Sequence, residues 1–311
     1  MRAVKGRAGD VEVVDIDEPN GSGVLVRVVA VTICGSDLNY LKRGSEQFIG
    51  HEISGVTDDG TPVIMEGVFG CRACRWCDRG MRHLCARTGR EILGMTVAGG
   101  MAEYFRVPAE SLIPVPAGLD VRDAALAEPG AVAWHAVANA GVDAASRVAV
   151  VGGGAIGILA VLAARRQGAA EVALLARHPH QIELGERYGA GAPTADYDVV
   201  IEASGSESGL ARAFELARPR GVVSSVSVYP PDISWPYRAA FLKEVSMMPS
   251  IGFAQHSDGQ PEIAHVASML ASDPTIAESL ITHRFGIDEA VRAFEVAREK
   301  SAGALRVAVH P

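Results

Sequence analysis

The stretch Val148-Ala149-Val150-Val151-Gly152-Gly153-Gly154-Ala155-Ile156-Gly157 decides the fold of the central part of this chain. An apolar, β-branched segment leads into the pattern G-x-G-x-x-G, and an apolar, Ala-rich segment follows, which predicts a strand, a tight turn and a helix. Gly152 would permit the tight turn, and Gly157 would let the helix pack closely on the strand. Gly154 would let a pyrophosphate approach the backbone at the helix N-terminus, beside Ala155 and Ile156. The stretch therefore predicts a dinucleotide-binding turn.

The chain on either side of this turn alternates between strand and helix patterns. The predicted strands are 147–151, 171–176, 197–203 and 221–228, and the predicted helices are 156–167, 180–188 and 210–217. An Ala-rich helix is predicted over 121–141, with an interruption at Pro129. Strands that alternate with helices of this length predict a parallel sheet with crossover helices. Near the C-terminus a strand (280–285), a helix (288–299) and a last strand (305–310) are predicted.

The N-terminal part of the chain has a different texture. The β-branched run 24–31 predicts a buried strand that leads to Cys34, and from there to Pro116 short apolar runs are broken by Gly and Pro. This pattern predicts an irregular β domain. A chain of 311 residues is long enough for two domains. We therefore predict an α/β protein in which a β domain (1–120 and 254–311) is interrupted by a doubly wound parallel-sheet domain (121–253).

The end of the second predicted strand indicates which dinucleotide binds. An acidic residue there would bind the ribose 2′-OH of NAD, but the chain reads Leu175-Ala176-Arg177-His178. Arg177 can pair with a 2′-phosphate through charge-assisted hydrogen bonds, with help from His178 or His180; the alternative is that it stacks on the adenine or faces solvent. We predict that NADP(H) is preferred over NAD(H). The Ala203-Ser204 turn should lie near the nicotinamide or its ribose, or else be an ordinary strand-end turn.

Four of the five cysteines form the pattern Cys71-x2-Cys74-x2-Cys77-x7-Cys85. The first ten residues show no apolar leader segment, and clustered cysteines in such a chain argue for metal rather than disulfides. Four thiolates fill a tetrahedral zinc site and leave no position for a substrate, so we predict a structural zinc. Arginines between the cysteines suggest that this loop is exposed.

The fifth cysteine, Cys34, suggests a second metal site. With His51, Glu52 and Glu128 it would supply a thiolate, an imidazole and one or two carboxylates, a donor set that leaves a position open on zinc. Zinc there would polarise a carbonyl or lower the pKa of a bound alcohol, and Ser36 is placed to take the hydroxyl proton onward. A lone Cys can equally be a buried hydrophobe and a lone His a satisfied core or surface residue. From the residues alone, nothing requires these segments to meet.

Composition and charge exclude several classes of function. Lys and Arg number 29 against 37 Asp and Glu, for a net charge of −8, which gives no electrostatic footprint for nucleic acid or an anionic membrane. The longest apolar stretch, 148–164, is short for a bilayer span and contains three consecutive glycines. We therefore expect a cytoplasmic protein that acts on a small molecule.

Taken together, these residues resemble the zinc-containing medium-chain dehydrogenase/reductase family. The resemblance covers essentially the whole chain and rests on Cys34-Gly35-Ser36-Asp37, Gly50-His51-Glu52, the four clustered cysteines, 99–104, 107–110, Glu128-Pro129, the glycine turn and 281–285. The Glu128-Pro129 pair, with Trp134-His135-Ala136 after it, is more similar to the sorbitol and threonine dehydrogenase branch than to classical alcohol dehydrogenases, which carry Cys at the glutamate position.

The resemblance implies a GroES-like catalytic domain and a Rossmann cofactor domain. It implies a catalytic zinc on Cys34, His51 and Glu52, with Glu128 reached directly or through a water, and a proton relay through Ser36. The Ala176-Arg177 pair is similar to the Ala-Arg pair of NADP-linked polyol dehydrogenases in this branch. Arg306 matches a basic position near the cofactor phosphates, with an ordinary surface arginine as the alternative.

Two departures from the family pattern concern the catalytic cleft. Asn39 stands where the family often has a relay His, and Asn cannot carry a proton away, so the proton would leave through Ser36 and water, a ribose hydroxyl or another group. The segments 41–50 and 53–70 are shorter than usual, so the pocket would be more open or closed by a neighbouring subunit.

These observations predict a zinc-dependent oxidoreductase of the CH–OH type, with two zinc ions per chain and NADP(H) as cofactor. The substrate would be a polyol, a sugar-like compound or an amino alcohol, and the protein a homodimer or homotetramer. Two alternatives stay open: a nicotinamide-binding sensor or structural protein without turnover, and a zinc-independent quinone or enoyl reductase of the same superfamily.

Overall fold

A computed structural model describes residues 1–87, 91–299 and 303–311, which form two compact units. One unit comprises Met1–Glu128 with Ala254–Pro311, and the other comprises Pro129–Phe253. The first boundary lies at 128/129 and not at the predicted 120/121. The reason is that the intervening segment packs on the β unit: Ser54 donates a hydrogen bond to the Val121 carbonyl at 2.6 Å, and the turn Ala124–Leu126 is buried.

The secondary structure follows in chain order. The strands are β1 (Arg2–Arg7), β2 (Asp10–Asp15), β3 (Val24–Thr32), β4 (Glu52–Thr57), β5 (Pro62–Met65), β6 (Val68–Phe69), β7 (Glu91–Ile92), β8 (Tyr104–Val107), β9 (Leu112–Pro114), β10 (Arg147–Val151), β11 (Glu171–Leu175), β12 (Tyr197–Glu202), β13 (Ala217–Ser225), β14 (Ser246–Pro249), β15 (Ile281–Gly286) and β16 (Arg306–His310). The helices are α1 (Gly35–Lys42), α2 (Ala127–Asn139), α3 (Ala155–Arg166), α4 (Pro179–Arg187), α5 (Glu207–Leu216), α6 (Tyr237–Lys243), α7 (Glu262–Ser272), α8 (Thr275–Leu280) and α9 (Ala290–Arg298).

The first unit is built on one mixed sheet. Its strands lie in the order β15-β16-β3-β4-β5-β9, and β8 pairs with the first half of β3. The β15/β16 pair is parallel, whereas β3 is antiparallel to β16, β4 and β8. Apolar side chains from β3, β4 and α9, among them Val28, Ile53 and Phe294, are buried in one core cluster. This is the β domain that the sequence predicts for both ends of the chain.

The register of this sheet brings distant segments to one edge. Thr32, at the end of β3, pairs with Glu52, at the start of β4. Because the strands are antiparallel, residues just after Thr32 and just before Glu52 leave the sheet side by side. Ala308 pairs with Thr32 from the other side, so Arg306 at the start of β16 reaches the same edge.

The second unit is a doubly wound sheet. Five parallel strands lie in the order β11-β10-β12-β13-β14. The central strand β10 pairs with β11 on one side and with β12 on the other, so the chain winds outward from β10 in both directions. The order reverses beside β10, which is the place where open α/β sheets bind ligands at their carboxyl edge. In the described sheet β11 is the edge strand. Beyond it, Gly191 forms an isolated parallel bridge with Ala173, and the chain then enters β12.

Two local predictions in this unit are wrong. Pro129 does not interrupt α2, because it lies in the first turn. Backbone N–H groups there have no acceptor within the helix, so the missing N–H of proline costs no helical hydrogen bond. Ala217 begins β13 instead of ending α5, and the strand ends at Ser225 rather than at residue 228. The extended backbone of Ala217 (φ −65°, ψ 137°) ends α5 at Leu216. None of the helices in the described parts of the chain combines the length and the apolarity that crossing a bilayer requires.

Candidate active site

Cys34, His51 and Glu52 meet at the sheet edge of the first unit. Cys34 follows β3 and precedes α1, while His51 comes directly before β4 and Glu52 is its first residue. One donor atom from each of the three lies within 4.8 Å of the others. The structure therefore brings together three of the four residues expected to hold a catalytic metal. Their thiol, imidazole and carboxylate groups are a donor set that zinc takes in open sites.

His51 is held from its Nδ1 side. Its Nδ1 lies 3.3 Å from Oδ1 of Asp37, and Oδ2 of the same carboxylate accepts a hydrogen bond from the Cys34 backbone amide at 2.9 Å. Asp37 is buried in the first turn of α1. Burial opposes a charge on the imidazole, but Asp37 and Cys34 outweigh it and raise the pKa of His51 well above its usual value. A carboxylate on one ring nitrogen directs the other toward the donor cluster, as in carboxylate–histidine–metal triads.

Ser36 lies on the other side of the imidazole. Its hydroxyl is 3.5 Å from His51 Nε2, at the limit of a hydrogen bond. Asn39, which stands where the family often has a relay His, is exposed on α1. Ser36 is therefore the hydroxyl that α1 presents at the cluster.

Glu52 is fully buried, with a side chain beside each of its carboxylate oxygens. Thr32 donates its hydroxyl to Oε2, and Arg306 Nη1 lies 2.9 Å from Oε1. Arg306 is itself buried and donates to the Ile33 carbonyl at 3.0 Å. The alternative of a surface arginine is therefore wrong, while its contact with cofactor phosphates stays a prediction. A carboxylate has about four lone-pair sites, so Glu52 keeps capacity for a metal.

Glu128 lies outside the set of three whose donor atoms are within 4.8 Å of one another. It is buried in the first turn of α2. Burial raises the pKa of Glu128 to about 8, with His51 and Arg306 opposing the rise and Glu52 and Asp37 adding to it. The geometry favours Glu52 over Glu128 as the direct third ligand.

The four clustered cysteines also converge. Each offers a sulfur within 4.8 Å of the others, and none of the five cysteines forms a disulfide. The Cys71 backbone amide lies 3.4 Å from the Cys85 sulfur, and a Cβ on Gly70 would lie 2.7 Å from the Cys77 sulfur. Four thiolates at this spacing fit a closed tetrahedral zinc site.

Ion pairs attach this loop to the β unit. Arg82 pairs with Glu66, which is nearly buried, and Arg72 pairs with Glu110 at 3.0 Å. Three of the four arginines between the cysteines, Arg72, Arg75 and Arg79, are exposed, in line with an exposed loop, whereas Arg82 is half-buried.

The glycine turn of the second unit has the shape of a phosphate cradle. Gly152 has a φ of +113°, and a Cβ there would lie 2.8 Å from the backbone of Ala203 and Ser204. A Cβ on Gly157 would lie 1.7 Å from the Gly152 carbonyl oxygen, so α3 packs against the turn only with glycine. A Cβ on Gly154, by contrast, would meet nothing within 4 Å. The open space faces the N-terminus of α3, at Ala155 and Ile156, where backbone amides favour an anion.

The other expected cofactor residues lie at the same edge of this sheet. Val151 pairs with Leu175 on one side and with Glu202 on the other, so Ala176 and Ala203 both follow strand ends beside the glycine turn. Arg177 is exposed after β11, and His178 precedes α4 with its ring stacked on His180 at 5.5 Å. Ser204 is exposed in the turn after β12.

The sequence patterns predict no role for two residues that contact the metal cluster. Asp37 is part of the quoted segment Cys34-Gly35-Ser36-Asp37, and a carboxylate three residues after a helix N-cap is a local signal that could have identified its bond to the Cys34 amide. Thr32 carries no such signal, because its contact with Glu52 depends on the β3/β4 register.

Comparisons with known proteins agree with this picture. The alcohol dehydrogenase GroES-like domain family matches residues 20–117. The chain is 30% identical to L-idonate 5-dehydrogenase (NAD(P)(+)) of Escherichia coli K12 over 75% of this chain and 78% of that protein. It is 28% identical to D-xylulose reductase A of Aspergillus niger over 90% of this chain and 87% of that protein.

A solved structure shares the whole fold. It is that of a protein assigned as a zinc-binding dehydrogenase in Sinorhizobium meliloti 1021, bound to NADP, with 28% identity, a TM-score of 0.81 and coverage of 100% of this chain and 99% of that chain. The fold class expected from the sequence, a GroES-like β domain plus a Rossmann doubly wound domain, is confirmed.

Proposed function

We propose that this protein transfers hydride between NADP(H) and a small alcohol or carbonyl compound. The premise is that the chain belongs to the zinc-containing medium-chain dehydrogenase family and to its sorbitol dehydrogenase-like branch. The family is one of alcohol and polyol oxidoreductases that use a nicotinamide cofactor. The finer parts of the proposal are the dependence on zinc, the preference for NADP(H), and a polyol, sugar-like or amino-alcohol substrate.

The observation that carries the proposal is the convergence of Cys34, His51 and Glu52. These residues would hold the catalytic zinc, with Glu128 reached directly or through a water. When bound, zinc supplies Lewis acidity at the substrate oxygen. Cys85 and the other three clustered cysteines would hold a second, structural zinc.

The chain's own residues have distinct roles around that oxygen. Asp37 orients His51 through Nδ1, and Arg306 and Thr32 hold the Glu52 carboxylate in place. Ser36 would accept the hydroxyl proton of an alcohol as hydride leaves its carbon, and would return it in the reverse direction. With Asn39 exposed on α1, the proton would leave Ser36 through water or a ribose hydroxyl.

Arg177 supports the preference for NADP(H). It stands exposed after β11 with no acidic residue at that strand end. A guanidinium attracts the 2′-phosphate, which a carboxylate would repel. The Escherichia coli relative is named for both NAD and NADP, and the Sinorhizobium meliloti structure contains NADP.

The test is nicotinamide absorbance with NADP and NAD side by side, across polyols, sugars, amino alcohols and simple alcohols. The proposal expects turnover on one of these classes, faster with NADP, and loss of turnover in a Cys34→Ala variant that still folds. Unchanged activity after removal of all metal would contradict the zinc mechanism. A preference for NAD would contradict the role of Arg177.

We also propose that the protein self-associates as a homodimer or homotetramer. The strand β14 lies at one edge of the described sheet, and the neighbouring helix α6 exposes Tyr237, Phe241 and Leu242, each more than 60% accessible. Contiguous exposed apolar side chains of this kind mark interaction surfaces. Light scattering coupled to size-exclusion chromatography would test this, and a monomer at micromolar concentration would contradict it.

A further inference from the structure

A buried carboxylate lies at the carboxyl edge of the dinucleotide-binding sheet. Glu202, the last residue of β12, is wholly buried. Its Oε1 accepts hydrogen bonds from the backbone amides of Ser204 at 2.8 Å and Gly205 at 3.2 Å. Its Oε2 accepts the hydroxyl of Tyr229, and Ser225 Oγ lies 3.5 Å away. Hydroxyl and amide donors therefore satisfy this carboxylate from both sides.

Tyr229 anchors the segment that follows β13. Its hydroxyl lies 2.9 Å from Ser225 Oγ as well as contacting Glu202. Burial, with the nearby Glu202 carboxylate, raises the pKa of Tyr229 above its ordinary value, so the phenol keeps its proton and can donate. The proposed hydride-transfer mechanism makes no use of this side chain.

The two amides that Glu202 holds belong to the turn beside the glycine cradle. A Cβ on Gly152 would come within 2.8 Å of Ser204 N, so the two turns are in direct contact. Gly205 has a φ of +65°, a conformation that the carboxylate stabilises through the Gly205 amide. The position of this turn therefore depends on the orientation of one carboxylate.

We propose that Tyr229 is a positioning residue for the nicotinamide dinucleotide: its hydroxyl fixes Glu202, and Glu202 fixes the Ser204–Gly205 turn against the glycine cradle. This inference rests on the proposed function in one respect, that the second unit binds the cofactor. Without the Tyr229 hydroxyl, Oε2 keeps only the 3.5 Å contact with Ser225, while Oε1 still accepts from the two turn amides and from the Ser204 hydroxyl at 2.5 Å. The carboxylate is then fixed from the side of the turn alone, so carboxylate and turn can shift together relative to the glycine cradle.

The chain supplies a matched control on the same strand. Tyr197 is the first residue of β12, at the opposite end from Glu202, and it is fully buried. Its hydroxyl accepts the Thr194 amide at 3.0 Å and lies 3.3 Å from Glu171. Tyr197→Phe therefore removes a phenol hydroxyl from the same unit without touching the carboxyl edge of the sheet.

The experiment compares the Kd of NADPH and NADP+ for the full-length protein, Tyr229→Phe and Tyr197→Phe, measured by NADPH fluorescence and calorimetry, with thermal unfolding of each. Tyr229→Phe is expected to weaken cofactor binding about tenfold, a factor at the lower end of what losing one hydrogen bond to a charged group gives. Tyr197→Phe should keep the Kd within about twofold, even if it lowers the unfolding temperature as much or more.

An unchanged Kd in Tyr229→Phe, or an equal weakening in both variants, would overturn the inference. If Tyr229→Phe does not fold, Ser225→Ala takes its place, because it removes the hydroxyl that bonds Tyr229, and an unchanged Kd there would overturn the inference too. Failure of the proposed function looks different: the unaltered protein would then bind no nicotinamide dinucleotide at all.

Discussion

Asparagine in place of Asp37 should weaken metal binding at the active site while sparing the cysteine cluster. The Asp37 carboxylate faces two groups at once: its Oδ1 lies 3.3 Å from His51 Nδ1, and its Oδ2 accepts a hydrogen bond from the Cys34 amide at 2.9 Å. Asparagine has one oxygen and one NH2 group, so it can accept from only one of them and presents a donor to the other. Asp37 therefore fixes both the imidazole and the backbone of the thiolate ligand.

The size of the effect follows from this double role. Loss of an outer-shell partner of a metal ligand costs about 10- to 100-fold in metal affinity. Because two proposed ligands depend on Asp37, we expect a loss near 100-fold, which corresponds to about 2.7 kcal/mol. The four cysteines make no contact with Asp37 in the described structure, so their affinity should not change.

The assay is a zinc titration of the metal-free protein in competition with a chromophoric chelator, read as two binding steps per chain. In Asp37→Asn, the binding step of the Cys34, His51 and Glu52 site should shift to weaker affinity, and the step of the four cysteines should not shift. Asp58 is exposed after β4, so Asp58→Asn should shift neither step. Two zinc ions bound at unaltered affinity in Asp37→Asn would refute the reasoning. Loss of both steps would mean that the fold was damaged and not that one site was disoriented.

Three further changes test other parts of the structure. Gly154→Ala should lower cofactor affinity with the fold intact, because its Cβ would enter open space in the cradle; Gly157→Ala should lower the unfolding temperature itself, because its Cβ would lie 1.7 Å from the Gly152 carbonyl oxygen. Arg177→Ala should raise the KM for NADP about tenfold and leave that for NAD nearly unchanged, as steady-state kinetics would show; equal changes would contradict a 2′-phosphate contact. Cys85→Ala should cost the chain one zinc by metal analysis and lower its unfolding temperature, since structural zinc contributes to folding; full zinc content in this variant would contradict the four-thiolate site.

Features that depend on neighbouring residues could be predicted from the sequence. The glycine turn is one, because a positive φ at Gly152 and a close approach at Gly157 are demands that only glycine meets. The two-part architecture is another, since alternation of strand and helix patterns is periodic along the chain. The errors at Pro129 and Ala217 concern element ends, where a proline in a first turn and an abrupt helix-to-strand change leave little signal.

Arg306 shows where this reasoning stops. The sequence predicts it near cofactor phosphates or on the surface, yet its guanidinium is buried against Glu52 and the Ile33 carbonyl. More than 250 residues of chain separate it from these partners. A basic residue in a strand looks the same in sequence whether it faces solvent or a buried carboxylate, and only the neighbouring strands decide between them.

The sequence by itself determined that the chain holds a dinucleotide-binding turn, a cluster of four cysteines with zinc spacing, and a set of residues that could form a second metal site. The glycine turn and the cysteine cluster are local patterns, so each predicts its own local structure, whereas the residues of the second metal site are spread along the chain. Only the tertiary structure decided that Cys34, His51 and Glu52 meet, that Asp37 and Thr32 support them, and that Glu128 stands outside the three. The physical reason is strand register: Thr32 pairs with Glu52 across β3 and β4, and a shift of one residue would turn Glu52 to the opposite face of the sheet.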